Sequence, residues 1–83
     1  MLILALAMAQ PVAAQSADAG VDAAKRGVFA TALRLLRPLA EQGNAKAQNA
    51  LGMMHQRGHG VTRSFAEAVR WYRKAAKGGY VRA

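Results

Sequence analysis

The stretch FATALRLLRPLAEQG at residues 29–43 decides the fold, because the chain contains it twice. It aligns without gaps on FAEAVRWYRKAAKGG at residues 65–79, at an offset of 36 residues. Seven positions are identical in the two copies: Phe29/Phe65, Ala30/Ala66, Ala32/Ala68, Arg34/Arg70, Arg37/Arg73, Ala40/Ala76 and Gly43/Gly79. A period in the thirties is typical of helix pairs that stack into a solenoid. The repeat therefore predicts an all-α fold, an α-solenoid of about two antiparallel helix pairs.

The second copy is the clearer helix pair. Its first helix is predicted over residues 44–57, where apolar residues recur at the helical spacing of Ala47, Ala50, Leu51 and Met54. Its second helix is predicted over residues 65–77. We expect the packed face of this helix to consist of Phe65, Ala68, Val69, Tyr72 and Ala76, widened on one side by Trp71 and Ala75. The small alanines let helix axes approach closely, so a charge introduced at one of them would be buried.

The connector QRGHGVTRSF, residues 56–65, is longer than a helix hairpin usually needs. Gly58 is expected to end the first helix and Gly60 to allow a turn, since glycine tolerates positive φ. Val61 is expected to pack back against the helix pair. His59 is interpreted as an ordinary loop residue.

Ser64 and Glu67 form a capping-box pattern at the start of the last helix. In such a box, the first side chain accepts a hydrogen bond from the backbone N–H of the second residue. The second side chain accepts one from the N–H of the first. We therefore expect a well-defined start to this helix.

The first copy is a shorter and less regular pair. A short helix over residues 17–26 is followed by Gly27, and Val28 leads into a helix over residues 29–42. The sequence KRGVF thus makes the same connection without the additional residues. Pro38 lies inside the second helix and removes a backbone donor there, so we expect it to bend or break the helix.

Residues 1–14, MLILALAMAQPVAA, have the features of a secretory signal. The run from Met1 to Ala9 is apolar and too short to span a bilayer. Small residues precede a cleavage site expected after Ala14, which would release a periplasmic or secreted chain. No Lys or Arg precedes the run, which indicates either a true start upstream or inefficient export. An uncleaved anchor and an ordinary first helix are the alternatives.

The chain is strongly basic, with 12 Lys and Arg against 4 Asp and Glu in 83 residues, and it has no cysteine. A small domain without disulfides is marginal on burial alone. The charge favours anionic partners. The basic residues of the second helices are expected to line one edge of the stack, and they are Arg34, Arg37, Arg70, Arg73, Lys74 and Lys77. This basic stripe is either a partner-binding surface or a solvated outer face.

The residue pattern does not indicate a catalytic, metal or cofactor site. His55 and His59 have a zinc-ligand spacing, but Gly58 is expected to end the helix between them. The acidic residues occur singly rather than in pairs suited to acid–base catalysis. The serines have no Asp or His at a persuasive spacing, and the glycines lack the Lys and Ser/Thr of a phosphate-binding loop. We therefore expect no enzyme and no cofactor.

Residues 45–83 resemble a Sel1-like repeat, a helix pair of the tetratricopeptide type. The positions that carry the resemblance are Ala47, Leu51, Gly52, Gly58, Gly60, Val61, Ala68, Trp71, Tyr72, Ala75, Ala76 and Gly79. Ser64 and Glu67 form the helix cap of the same unit. The match to residues 17–36 is weaker and resembles a degenerate first unit. The resemblance implies right-handed stacking and a non-catalytic adaptor that assembles other proteins on a helical surface.

The chain departs from the family pattern at three places. Ser64 stands where an acidic residue is usual, and Met54 where a Tyr is common. Both are acceptable, since Ser can cap a helix and Met fills irregular space. The disulfide staple of some exported relatives is missing, so the penicillin-type ligands of that subgroup are not expected here.

We divide the chain into a signal peptide (1–14), a linker (15–19), a degenerate first helix pair (20–43), a Sel1-like repeat (44–79) and the start of a further repeat helix (80–83). The expected function is a protein-interaction scaffold of the cell envelope. The alternative is an accessory factor that binds anionic polysaccharide or lipid through the basic stripe. We expect an unknown protein partner, no nucleic acid, and membrane contact only through the targeting segment. The open C-terminal repeat indicates a truncated frame, a fragment or self-association.

Overall fold

The computed structural model describes residues 16–79, which form four α-helices and no strands. These are α1 (Asp18–Lys25), α2 (Phe29–Glu41), α3 (Ala45–Arg57) and α4 (Phe65–Lys77). Helix α1 packs on α2, α2 on α3, and α3 on α4, while α1 also touches α3. The prediction of an all-α fold with about two stacked helix pairs is confirmed. None of the helices within the described range is long and apolar enough to cross a membrane.

The ends of the second helix pair follow from local chemistry. Asn44 Oδ1 accepts a hydrogen bond of 2.8 Å from the N–H of Ala47 and so caps the start of α3. Helix α3 ends at Gly58, which has a left-handed φ of 70°. Ser64 Oγ accepts from the N–H of Glu67 at 3.2 Å and caps the start of α4.

The capping box is only half formed. The Ser64 N–H donates to the backbone carbonyl of His55 at 2.9 Å, so it is not available to the Glu67 side chain. The Glu67 carboxylate lies instead 3.8 Å from Arg70 Nε, one helical turn ahead. The expected reciprocal bond is therefore wrong, because a backbone carbonyl of α3 accepts from that donor instead.

In each helix pair, a glycine of the first helix lies in close contact with a side chain of the second helix. A Cβ on Gly20 would lie 2.5 Å from Leu36 Cγ, and a Cβ on Gly52 would lie 2.7 Å from Tyr72 Cδ1. The two glycines are 32 residues apart, whereas Leu36 and Tyr72 are 36 apart. The second pair therefore has four additional residues between its helices, and these belong to the connector before α4.

The buried side chains form one core across the helices. Leu36 and Leu51 are its largest fully buried side chains, and Ala32 and Ala47 are also fully buried. Met54 closes the core near the C-terminal end of α3. Small residues at these contacts let the helix backbones approach closely, as the alanine pattern predicts.

The packed face of α4 differs from the predicted one. Its buried residues are Ala68, Trp71 and Ala75, and Tyr72 is half-buried. Phe65, Val69 and Ala76 are exposed, contrary to the prediction from helical spacing. The reason is geometric, since α3 covers only one side of the apolar stripe of α4, and no other helix among residues 16–79 covers the other side.

Pro38 does not break α2, which continues through it to Glu41. The helix ends three residues after Pro38, so only its last turn lies beyond the missing donor, and the carbonyl of Pro38 still accepts from the N–H of Gln42. Helix α1 begins at Asp18, so residues 18 and 19 of the expected linker are helical. The expected signal peptide and the expected further helix at 80–83 lie outside the described residues.

Candidate functional site

A cleft of about 670 Å³ lies between α1 and α3. The apolar side chains of Val21 and Ala24 line it from α1, and Ala50 and Met53 line it from α3. Its size falls within the range of protein pockets that hold ligands. The unbranched Met53 gives the wall a side chain that adapts to different partners.

The connector before α4 closes one end of this cleft. The ring of His59 stacks on the ring of Phe29, with centroids 4.4 Å apart and planes inclined by 19°. Gly60, with a φ of 77°, lies so close to α2 that a Cβ on it would be 2.8 Å from Phe29 Cβ. His59 is therefore not an ordinary loop residue, because it forms part of the cleft wall. Sequence periodicity did not indicate this contact, which joins two different repeats.

Cations surround the cleft. Lys25, Lys46 and Arg57 line it, and all three side chains are exposed. Lys46 Nζ forms an ion pair with Asp18, which joins α3 to α1. Lys25 and Arg57 have no ion-pair partner within residues 16–79. The cleft thus combines an apolar floor with two cations that are available to a ligand.

The ion pair of Asp18 alters its titration. The hydrogen bond from Lys46 Nζ holds the pKa of the Asp18 carboxyl below its ordinary value, and a hydrogen bond with Ser16 adds to this effect. Asp18 is exposed, so solvent screens the interaction and its contribution to stability is small. The carboxylate nevertheless stays charged over the neutral range, which keeps this link between the two repeats intact.

The predicted basic stripe lies on other surfaces. Its six members are all exposed on α2 and α4, and none of them lines the cleft: Arg34, Arg37, Arg70, Arg73, Lys74 and Lys77. Two of them contact their own helix, because Arg70 approaches Glu67 and Lys74 Nζ lies 4.7 Å from the centre of the Trp71 ring. The role of the stripe in binding a partner stays a prediction.

Most residues that carry the family resemblance are buried or lie at turns, whereas Tyr72 is half-buried and Ala76 is exposed. Buried positions on the two helices are Ala47, Leu51, Gly52, Ala68, Trp71 and Ala75. Gly58, Gly60 and Gly79 have positive φ values, and Val61 is half-buried in the connector. No group of three or more potential metal ligands from His, Cys, Asp and Glu comes together in the part of the chain that the structure describes.

The cleft cations were missed in the sequence because they lie on the first helix of each pair. The alignment at an offset of 36 covers only the second helices, so it indicates only the cations that recur there. The glycine pair Gly20 and Gly52 was the available signal for aligning the first helices. It places Lys25 at the position equivalent to Arg57, so a cation recurs at the end of both.

The family model for the Sel1 repeat matches this chain twice, over residues 18–44 and residues 45–80. The two matches coincide with the helix pairs α1–α2 and α3–α4. No curated protein and no solved structure matches the chain.

Proposed function

Because the chain belongs to the Sel1 repeat family, whose repeats are non-catalytic and generally mediate protein–protein interaction, we propose that it is an interaction scaffold of the cell envelope. Its partner is a protein that inserts an extended segment into the cleft between α1 and α3. The observation that carries this proposal is the cleft itself, with its apolar floor and its exposed cations Lys25 and Arg57.

The residues that line the cleft favour a partner segment with both aliphatic and acidic side chains. Aliphatic side chains of the partner would bury surface against Val21, Ala50 and Met53. Carboxylates of the partner would pair with Lys25 and Arg57, and a guanidinium can hold a carboxylate with two parallel hydrogen bonds. The segment is therefore acidic and aliphatic.

A peptide selection on the purified chain tests the cleft. We expect a phage library of random 12-residue peptides to yield acidic peptides with aliphatic residues. The double variant Lys25→Glu with Arg57→Glu should weaken the binding of a selected peptide by at least about tenfold, since two attractive charges become repulsive. The matched control is Ala30→Glu on the exposed side of α2, outside the cleft. Equal binding by the double variant would contradict the proposal.

The location in the cell envelope rests on residues 1–14. Their apolar run and the small residues up to Ala14 support export and cleavage. Expression of the full chain in a bacterium, followed by mass spectrometry of the periplasmic fraction, tests this. We expect a mature chain that begins at Gln15, whereas an uncleaved chain in the cytoplasm would contradict export without affecting the cleft.

The second candidate function is binding of anionic polysaccharide or lipid through the basic stripe. The observation in its favour is that Arg34 and Arg70, and likewise Arg37 and Arg73, are exposed at equivalent positions of the two repeats. Co-sedimentation with vesicles that contain anionic lipid tests it. Binding that disappears at ~0.5 M salt, where exposed charges are screened, would support this function. The absence of binding at low salt would exclude the lipid branch, and a heparin column would test the polysaccharide branch.

A further inference from the structure

We propose that the exposed apolar face of α4 is a second binding surface, which binds an amphipathic helix with acidic residues along its flank from a partner protein. The face consists of Phe65, Val69, Tyr72 and Ala76 and is called the α4 face below. It shares no residue with the cleft between α1 and α3, so the inference goes beyond the proposed function and does not depend on it.

The degree of exposure distinguishes the α4 face from its counterpart on α2. Phe65 is 58% exposed and Val69 is 44% exposed. The equivalent residues of α2, 36 positions earlier, are Phe29 and Leu33, and both are half-buried. The two repeats thus carry the same apolar stripe, but only the stripe on α2 is covered.

The element that packs on the α2 stripe indicates what kind of element would pack on the α4 face. Helix α3 and its connector lie on it, with Gly60 against Phe29 and Leu33. At the other end, Gln48 Nε2 donates a hydrogen bond of 3.0 Å to the carbonyl of Ala40. Leu36 and Ala40 are consequently buried, at 0% and 1% exposure. The equivalent face of α4 therefore has the geometry to receive a helix, which would lie on it as α3 lies on α2.

The charges beside the α4 face define the flank of the incoming helix. Helical spacing places Arg73 one turn from both Val69 and Ala76 on the side turned away from α3, and Lys77 lies one turn beyond Arg73. At the other end, the guanidinium of Arg63 lies 4.8 Å from the centre of the Phe65 ring. The incoming helix therefore carries Asp or Glu along this border, where each carboxylate meets an exposed cation.

The same charges argue against a second copy of this chain as the occupant. Two α4 faces packed together would bring Arg73 and Lys77 of both copies to one interface, and each chain already has a net charge of +8. Like charges that are pressed together destabilise such a contact. A second copy of this chain is therefore the less favoured occupant and an outcome for the experiment to exclude.

The experiment uses a probe built from the helix that covers α2. A synthetic peptide of residues 44–57 is held helical by a hydrocarbon staple. An acidic version carries Asn44→Asp and Gln48→Glu, because these two positions contact the C-terminal end of α2 in the structure. Binding of both peptides to the purified full chain is measured by fluorescence anisotropy. We expect the acidic peptide to bind at least about tenfold more tightly than the unchanged one, because it meets the cations beside the α4 face.

Two variants locate the binding. The double variant Phe65→Ser with Val69→Ser should weaken the acidic peptide at least about tenfold, while Arg73→Glu should remove the preference for the acidic version. These side chains are exposed, so the variants should keep the circular dichroism spectrum of the unchanged chain. Ala30→Ser on the exposed side of α2 is the matched control and should leave binding unchanged.

Three results would overturn the inference. Equal binding of the two peptides would contradict the acidic flank of the partner helix. Unchanged binding by the double serine variant would contradict the α4 face as the binding surface. A dimer in sedimentation that the double serine variant dissociates would assign the face to a second copy. The cleft variant Lys25→Glu with Arg57→Glu separates the two proposals. It should lose binding of the selected cleft peptide and keep binding of the acidic helical peptide.

Discussion

Gly52 is the residue on which the approach of α3 and α4 depends. The ring of Tyr72 occupies the space that a side chain at Gly52 would need, and its hydroxyl donates a hydrogen bond of 2.7 Å to Gln56. The pair Gly20 and Leu36 repeats this contact in the first unit. Glycine at this position therefore sets the distance between the two helices of each pair.

Replacement of Gly52 by Ala should destabilise the fold by about 1–3 kcal/mol, because its Cβ would overlap the Tyr72 ring. Thermal unfolding followed by circular dichroism measures the change. Adding Tyr72→Ala should cost less in the Gly52→Ala background than in the original chain, since removal of the ring also relieves the overlap. Strict additivity of the two substitutions would contradict this contact.

Ala68→Glu should destabilise the chain by several kcal/mol, roughly 3 or more, since it places a charge at a position that is 2% exposed. Ala66→Glu on the exposed side of the same helix is the matched control and should change stability by about 0.5 kcal/mol or less. Urea unfolding of the two variants compares them directly. Similar midpoints would show that the buried face of α4 is wrongly assigned.

The helices could be predicted from the sequence, but their surroundings could be predicted only in part. The period of 36 residues and the apolar spacing predict the four helices with ends within a few residues of those observed. The same spacing could not tell which side of the α4 stripe is covered, because coverage depends on neighbouring helices. The cleft escaped prediction for a similar reason, since α1, α3 and the connector come together only in the folded chain.

The connector before α4 should be sensitive at Gly60. Gly60→Val introduces a β-branched residue at a φ of 77° and sets its Cβ against Phe29, so we expect a loss of about 2 kcal/mol. Thr62→Val, at an exposed position in the same connector, is the control and should have little effect. Denaturant unfolding measures both. A Gly60→Val chain as stable as the original would contradict the close approach of connector and α2.

The whole molecule is held together by contacts between its two units, and one of these is electrostatic. Asp18 on α1 pairs with Lys46 on α3, whereas Asp22 pairs with Arg26, just past the end of its own helix, at 3.1 Å. The first pair connects the units, and the second does not. The acid response of the contact between the units should therefore depend on Asp18.

The lowered pKa of Asp18 fixes the sign of this response. The contribution of the pair is present above the ordinary value of 3.8 and is lost as the pH falls through the lowered pKa. The Asp18→Asn variant should therefore lose less stability than the original chain on acidification below about pH 4. Gln42→Asn, at an exposed position without charge, is the control and should keep the original response. Melting temperatures across this pH range measure the difference, and identical curves for all three chains would contradict the role of Asp18.

The longer connector also makes the two ends of a repeat unit different, because it contacts the unit that precedes it in the chain. The second unit contacts α2 of the first unit through His59 and Gly60, whereas the short turn at Gly27 has no residues equivalent to these. The units are therefore not interchangeable in engineering. A copy of residues 44–79 grafted behind α4 would cover Phe65 and Val69. A copy of residues 17–43 in the same place would leave these two side chains exposed.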